Sequence, residues 1–175
     1  HADMDEASLV KELGSGGGDA EQTYFAGDLR EKLTIATLIS ATLDVYDRID
    51  ILINASRQVL ASDFFDTEDK SVEISLEQNV LTSLRLSQHV AKRMIKQNEG
   101  QNEGQAGAIV NLSSIAARRA TSSLLGYSIS SAALDQLTRS MAVALAPKRV
   151  RVNAVAIGSV MSASLQKALK NHGDF

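Results

Sequence analysis

The chain has 175 residues, of which 44% are hydrophobic and 22% charged, and its formal net charge is −3. This length suffices for one domain with a substantial apolar core. The slight negative charge gives no basic surface for nucleic acid, and the lack of cysteine excludes disulfides, thiolate metal sites and a cysteine nucleophile. Neither a membrane-spanning stretch nor a signal segment is recognisable, so the expected location is cytoplasmic, without membrane contact.

The first part of the chain alternates helical periodicity with a short apolar run. In order, it predicts a helix over residues 7–13, a glycine-rich loop over 14–18 and a strand over 23–27 that Asp28 closes. In the next helix, apolar residues recur at three- and four-residue steps and predict one buried stripe: Leu33, Ala36, Ile39, Leu43 and Tyr46.

The second part continues the same alternation. The unbroken apolar run 51–53 is typical of a strand buried on both faces of a parallel sheet. The remaining predicted elements are a helix over 72–96, a strand over 108–112, a helix over 127–146, a strand over 150–155 and a helix over 162–170. Before the 108–112 strand, the sequence Asn-Glu-Gly-Gln occurs twice, over 98–105, and predicts a mobile, dispensable surface loop.

Alternating strands and helices predict an α/β fold with a doubly wound parallel sheet, in a single domain over residues 1–175. In such sheets ligands bind beyond the carboxyl ends of the strands. The informative positions are therefore those that follow each strand: Asp28, Asn54, Ser113, Ser114, Ile157 and Gly158. Periodicity indicates where chemistry would take place without indicating which chemistry.

Four segments at these strand ends carry family motifs: Asp28-Leu29, Asp50-Ile51-Leu52-Ile53-Asn54-Ala55-Ser56-Arg57, Ile109-Val110-Asn111-Leu112-Ser113-Ser114 and Arg149-Val150-Arg151-Val152-Asn153-Ala154-Val155. In this order and spacing they resemble strands three to six of the short-chain dehydrogenase/reductase family, in particular its 3-oxoacyl-acyl-carrier-protein reductase-like members. The resemblance covers nearly the whole chain and implies a Rossmann-type domain. Ser114 precedes Tyr127 by thirteen residues, which is the family's spacing for its serine and tyrosine.

The resemblance implies an NAD or NADP cofactor, a small-molecule carbonyl or alcohol substrate, and a homodimer or homotetramer. It implies that Tyr127 is the general acid, that Ser114 orients the carbonyl oxygen and that Asn79 supports a water relay. Ser131 occupies the fourth catalytic position. The implied cofactor-binding positions are Asp3, Asp28, Asn54, Ala55, Ser56, Ile157 and Gly158.

The chain also departs from the family pattern, and the departure at Ser131 matters most. The family has lysine there, and residues i and i+4 share a helix face, so its ammonium would lie beside the Tyr127 phenol and favour the phenolate. Serine supplies no charge. Ala55, Arg57 and Ile157 stand where the family has asparagine, glycine and proline. Arg57 is either an exposed side chain, which is the favoured interpretation, or a ligand of a cofactor phosphate.

Two parts of the family pattern are expected outside residues 1–175. The first strand and its glycine-rich phosphate loop would precede His1, and the last strand and its helix would follow Phe175. The glycine-rich segment 14–18 is interpreted as a plain loop because it follows a helix rather than a strand.

Simpler interpretations of the same residues stay open. Ser114 would then be a hydroxyl cap, Tyr127 a core tyrosine, Asn79 an ordinary helix residue and Asp3 part of a frayed terminus. The three histidines are scattered and predict no metal site.

The sequence therefore supports two alternative functions. The first is an NAD(P)-dependent oxidoreductase, favoured by the retained Ser114, Tyr127 and Asn79. The second is a degenerate family member that binds nucleotide or another subunit, favoured by Ser131. The first predicts that the side chains of Ser114, Asn79 and Tyr127 converge on one cleft.

Overall fold

The computed structural model describes residues 1–13, 22–101, 103–158 and 160. Its elements are β1 (Ala2–Asp3), α1 (Glu6–Leu13), β2 (Phe25–Ala26), α2 (Lys32–Tyr46), β3 (Ile51–Asn54), α3 (Ser71–Leu76), a π-helical segment (Glu77–Leu81), α4 (Thr82–Gln97), β4 (Gly107–Ser114), α5 (Leu125–Leu145) and β5 (Val150–Ile157). Short 3-10 turns occur at Ile115–Ala117, Ser122–Leu124 and Ala146–Lys148. The predicted loop 14–18 and helix 162–170 lie outside the described residues.

The strands form two parallel sheets. β3, β4 and β5 pair in that order, and β1 pairs with β2. The register aligns Asn54 with Asn111 and Ser114 with Ile157, so the carboxyl ends of the three longer strands meet at one edge. Every pairing is parallel, as the alternation of strands and helices predicted, and the α/β architecture is confirmed.

The apolar core lies between the helices and the longer sheet. Its largest fully buried side chains are Ile35, Met94, Ile109 and Val150. α4 approaches β4 so closely that a Cβ on Gly107 would lie 2.4 Å from the Met94 sulfur. Glycine at this position therefore allows the helix to pack directly on the strand. In the part of the chain that the structure describes, no helix is long and apolar enough to cross a membrane.

Two predictions about buried faces are wrong. In α2, Leu33 is 78% exposed while Ile35 is fully buried. Apolar residues occur on several sides of this helix, so periodicity alone did not determine which side packs. In β3, Ile51 and Ile53 are exposed, although the apolar run predicted burial on both faces. Within the described residues, β3 has a hydrogen-bonded neighbour on one side only.

Arg149 holds backbone carbonyls of the polar loop over 98–105, although its composition predicted no anchoring contact. That the loop is dispensable stays a prediction. Arg149 Nη1 donates hydrogen bonds to the carbonyls of Glu103 (2.6 Å) and Gly104 (2.9 Å), and Nη2 donates to the Gln101 carbonyl. These contacts use backbone carbonyls, which every residue carries. The polar side chains of the repeat therefore gave no indication of them.

Candidate active site

A buried chain of amide and hydroxyl groups supports the carboxyl edge of the longer sheet. The Asn54 side-chain nitrogen donates to the Ser87 hydroxyl (2.9 Å) and to Asn111 Oδ1 (2.8 Å). Asn111 in turn donates to the Thr138 hydroxyl (2.8 Å), so β3, β4, α4 and α5 are joined. Both amide hydrogens of Asn54 are used inside the protein. Each such bond contributes about 1 kcal/mol net, and leaving one unmade in the core costs more.

Ser114 ends β4 and is buried at this edge. Its hydroxyl oxygen accepts a hydrogen bond from the Ala116 backbone nitrogen (3.2 Å) and so caps the 3-10 turn that follows. The capping role considered from the sequence is therefore observed. It uses the hydroxyl as an acceptor and leaves its hydrogen able to donate to a ligand oxygen.

Asn79 lies within the π-helical segment and is buried. Its Oδ1 accepts from the Gln58 backbone nitrogen (2.7 Å), and its Nδ2 donates to the Gln58 carbonyl (3.0 Å) and to the Ser130 hydroxyl (3.1 Å). π-helical turns occur frequently at functional sites. Here the turn directs an amide side chain at both the segment after β3 and helix α5.

Tyr127 lies in the first turn of α5 and is buried. Next to it, a Cβ on Gly126 would lie 2.5 Å from the Ser71 carbonyl oxygen, so glycine permits α3 and α5 to touch at this point. Ser130 Oγ donates to the Tyr127 carbonyl (3.1 Å), and the same hydroxyl accepts the bond from Asn79. One hydroxyl thus links Asn79 to the backbone of Tyr127.

The predicted convergence of three side chains is met only in part by these contacts. Asn79 reaches the backbone of Tyr127 through Ser130. Among the hydrogen bonds of the described residues, none joins the side chain of Ser114 or Asn79 to the Tyr127 hydroxyl. That all three side chains act on one ligand therefore stays a prediction.

Arg57 belongs to this site, although the interpretation favoured from the sequence was an exposed side chain. Its side chain is half-buried rather than exposed, so the interpretation of an exposed arginine is wrong. Nη1 donates to the Ser113 carbonyl (3.1 Å), and Cζ lies 5.7 Å from the centroid of the Tyr127 ring. The sequence marked this position as unusual, because arginine stands there where the family resemblance implied glycine.

Ser131 is buried one helical turn after Tyr127. Its carbonyl accepts a hydrogen bond from the Ser113 hydroxyl (3.4 Å), which ties α5 to the end of β4. Ser113 therefore contacts Arg57 through its carbonyl and Ser131 through its hydroxyl. Position 131 contributes packing and carries no charge.

The predicted cofactor positions fall into two groups. Asn54, Ala55 and Ser56 line a cavity of about 270 Å³ between β3 and the amino-terminal segment. Ile157 ends β5 at the same carboxyl edge, two strands away from β3, and Gly158 follows it; neither residue lines this cavity. Gly158 is exposed, and a Cβ built on it would meet no atom within 4 Å.

The two predicted carboxylates of the cofactor site already have protein partners. Asp3 Oδ1 accepts from the Asp5 backbone nitrogen (3.0 Å). Asp28 accepts from Arg30 Nε (2.9 Å) and Nη2 (2.6 Å), and these bonds hold the pKa of the Asp28 carboxyl below its ordinary value. Across the described ranges, no group of three histidine, aspartate or glutamate side chains is placed to hold a metal.

A parallel sheet with hydroxyl and amide groups at its carboxyl edge, and a tyrosine helix packed against it, is the arrangement of α/β domains that bind ligands beyond the carboxyl ends of their strands. A family model described as enoyl-(acyl carrier protein) reductase matches residues 1–174. The chain belongs to the short-chain dehydrogenase/reductase family. The resemblance and the Rossmann-type fold expected from the sequence are both confirmed.

The relatives extend this result in sequence and in structure. The chain is 37% identical over 107 residues to L-xylulose reductase of Mus musculus, covering 61% of this chain and 41% of that protein. It is 30% identical over 162 residues to an uncharacterized oxidoreductase of Thermotoga maritima, covering 93% and 59%. A putative short-chain dehydrogenase/reductase from Burkholderia xenovorans superposes with a TM-score of 0.79 at 26% identity, covering 97% and 65%. The chain thus spans about half the length of the two sequence relatives.

Proposed function

We propose that the full-length protein is an NAD(P)-dependent oxidoreductase that interconverts a small-molecule carbonyl and a secondary alcohol. The observation that carries this proposal is the single guanidinium of Arg57, which contacts both the Ser113 carbonyl and the Tyr127 ring. The Arg57 side chain therefore links the ring of Tyr127 to the strand end that bears Ser114. The names of the relatives, L-xylulose reductase and carbonyl reductase [NADPH] 2 of Sus scrofa (35% identical over 107 residues), support the same class of reaction.

The carboxyl edge of the sheet fits the nicotinamide end of such a cofactor. Ala55 and Ser56 are small and exposed, and no atom of the described residues lies within 4 Å of the place where a Cβ of Gly158 would stand. These three residues would hold the nicotinamide and its ribose. When bound, the cofactor supplies a hydride to the carbonyl carbon or accepts one from the alcohol carbon.

The chain's own residues would move the proton and hold the substrate oxygen. In reduction, Tyr127 would give its hydroxyl proton to the carbonyl oxygen, and Ser114 would donate a hydrogen bond to the same oxygen. In oxidation, the Tyr127 phenolate would take that proton back. Asn79 would keep Tyr127 in place through Ser130, whose hydroxyl bonds the Tyr127 carbonyl.

The test is cofactor-dependent turnover by the purified full-length protein, followed by the absorbance of NADH or NADPH with a panel of keto-sugars, diketones and 3-oxoacyl thioesters. Tyr127→Phe is expected to lower kcat about 100-fold or more, because the proton donor is removed while the ring remains. The matched control is Tyr46→Phe, in a half-buried tyrosine at the end of α2, which should leave kcat unchanged. A Tyr127→Phe variant as active as the parent contradicts the proposal.

The second candidate, a nucleotide-binding or subunit-interaction protein without turnover, is favoured by Ser131, which is buried and neutral. It predicts that the full-length parent binds dinucleotide or another subunit and turns over no member of the panel. Turnover by the parent contradicts it, whereas turnover by Ser131→Lys alone would show that the parent is inactive because it lacks the lysine charge.

We also propose a homodimer or homotetramer in the cytoplasm. The exposed rings of Phe64 and Phe65, packed edge to face 5.5 Å apart, form an apolar surface that assembly would cover. The cysteine-free composition is compatible with a reducing compartment. Light scattering of the purified protein tests the assembly, and microscopy of the tagged protein tests the location.

A further inference from the structure

The guanidinium of Arg57 occupies a defined position between two elements of the site. Arg57 lies three residues after the end of β3. Its Nη1 donates a hydrogen bond to the Ser113 carbonyl near the end of β4, and its Cζ lies 5.7 Å from the centroid of the Tyr127 ring. A cation within about 6 Å of an aromatic centroid is attracted by the ring. Two independent contacts, one polar and one to the ring face, therefore hold the same group in place.

No carboxylate of the described residues forms an ion pair with Arg57. Arginine stays protonated under all ordinary conditions. The ion pairs within the described residues join Arg30 to Asp28, Arg48 to Asp50 and Arg85 to Glu77. Arg57 takes part in none of them, and its hydrogen-bond partner is the neutral Ser113 carbonyl. Its positive charge is therefore available to an anion that forms nearby.

We infer that Arg57 is a positioning residue that supplies the positive charge for Tyr127, a charge that Ser131 does not provide. This inference rests on the oxidoreductase function proposed above. When Tyr127 gives its proton to the substrate oxygen, the O–H bond of the phenol breaks and a negative charge remains on the phenol oxygen. A preorganised cation beside the ring stabilises that charge, and it does so most effectively where water is excluded.

Ser113 explains how the two positions are coupled. Its carbonyl holds Arg57 and its hydroxyl donates to the carbonyl of Ser131, so one residue of β4 joins the cation to the helix of Tyr127. A lysine at 131 would reach the phenol along the helix, whereas Arg57 reaches it from the segment after β3. The same charge is supplied from a different element of the fold.

The decisive experiment moves the charge from one element to the other. Arg57→Met keeps an unbranched stem and removes the charge, and it is expected to lower kcat about tenfold or more while KM for the carbonyl changes less than about threefold. The double variant Arg57→Met/Ser131→Lys should recover kcat to within about threefold of the parent, and Arg57→Lys should retain more activity than Arg57→Met. The variants are assayed in the full-length protein with cofactor at saturation.

Several outcomes would overturn the inference. If Arg57→Met equals the parent, the cation has no role in turnover. If Arg57→Met is faster than the parent, Arg57 obstructs the site instead of assisting it. If the double variant is no better than Arg57→Met, the charge is not what was lost. In each case Tyr127→Phe would still abolish turnover, so the proposed function would stand while this inference fails.

A readout that needs no turnover tests the placement of Arg57 separately. In the nuclear magnetic resonance spectrum of the cofactor-free full-length protein, the side-chain protons of Arg57 should be shifted upfield by the ring current and show nuclear Overhauser effects to the Tyr127 ring. Tyr127→Leu should remove the upfield shift. Arg57 resonances at ordinary positions without these effects in the parent would overturn the inference even if that variant does not fold.

Discussion

The two sheets of this domain differ in length, in packing and in what they support. β4 and β5 pair over eight residues and β3 over four, whereas β1 and β2 pair over only two. The buried amide network and the candidate active site belong to the longer sheet. The shorter pair contributes two predicted cofactor positions, Asp3 and Asp28, whose carboxylates already accept hydrogen bonds from Asp5 and Arg30. The other candidate site residues therefore belong to the side of the longer sheet, where backbone pairing is more extensive.

The cavity between the sheets shows what this difference means for stability. It is lined by Ala2 on one side and by residues 51–56 on the other, and no backbone pairing between the described strands crosses it. On the edge of β3 that borders it, Ile51 is 63% and Ile53 59% exposed. Regions with few buried contacts open locally at a lower free energy than the core does. The β1–β2 side should therefore be the less stable part of the domain.

The largest expected effect comes from a matched pair of truncations. Ile109→Ala, in β4, removes a fully buried side chain and should lower the free energy of unfolding by about 2–5 kcal/mol. Phe25→Ala, in β2, removes a larger but half-buried side chain and should cost about 1 kcal/mol. Urea unfolding of the full-length protein measures both. Equal losses would contradict the difference in packing between the sheets.

Replacement of Arg149, which lies on the side of the longer sheet, should have an intermediate effect on Tm. It has a positive φ of 59° and holds three carbonyls of the 98–105 loop. Arg149→Ala should lower Tm by about 4 °C, because these bonds are lost while the strained backbone remains. Deletion of 102–105, which the polarity of the loop predicted to be harmless, should lower Tm by a similar amount.

The matched control is Arg149→Gly, which also loses the guanidinium but relieves the left-handed backbone by about 1 kcal/mol. Its Tm should therefore lie between those of Arg149→Ala and the parent. If Arg149→Ala melts at the parent temperature, the carbonyl contacts do not hold the loop.

The order of elements could be predicted from the sequence because periodicity is local. The positions after the strands, such as Ser114 and Asn54, followed from the rule that strand ends in a parallel sheet share one edge. Both residues lie at that edge in the structure. Their partners did not follow, because the alternation of apolar residues does not specify which polar groups meet across 33 or 57 positions of the chain.

The environment of Arg57 and the buried face of α2 could not be predicted for a related reason. The partner of Arg57 on β4 is 56 residues away in the sequence, and the contact depends on how the segment after β3 packs on α5. In α2, Leu33 and Ile35 are both apolar, so only the packing of α2 against its neighbours determined which one is buried. Tertiary contacts decided both cases, and local patterns carry no information about them.

The smallest effect concerns the ion pair on the side of the shorter sheet. Asp28 follows β2, and Arg30 binds its carboxylate through Nε, Nη2 and the backbone nitrogen (2.9 Å). Both side chains are solvent-accessible, so water and salt screen their attraction. Asp28→Asn should therefore change Tm at pH 7 by less than about 2 °C. The matched control is Asp44→Asn, on the exposed side of α2, where no ion pair is removed.

The Tm difference between the parent and Asp28→Asn should depend on pH, because the pKa of Asp28 differs between the folded and unfolded states. Hydrogen bonds from Arg30 place the pKa of Asp28 in the folded protein below its ordinary value of 3.8. A carboxyl whose pKa is lower in the folded state binds fewer protons there, so it stabilises the fold above the unfolded pKa. That contribution is lost as the pH falls through the folded pKa. The parent should therefore melt slightly above Asp28→Asn at pH 7, and the gap should close below about pH 3.8. A gap that does not narrow in acid would contradict the pairing of Asp28 with Arg30 in solution. A gap as large as that produced by Ile109→Ala would show that the shorter sheet is held as firmly as the longer one.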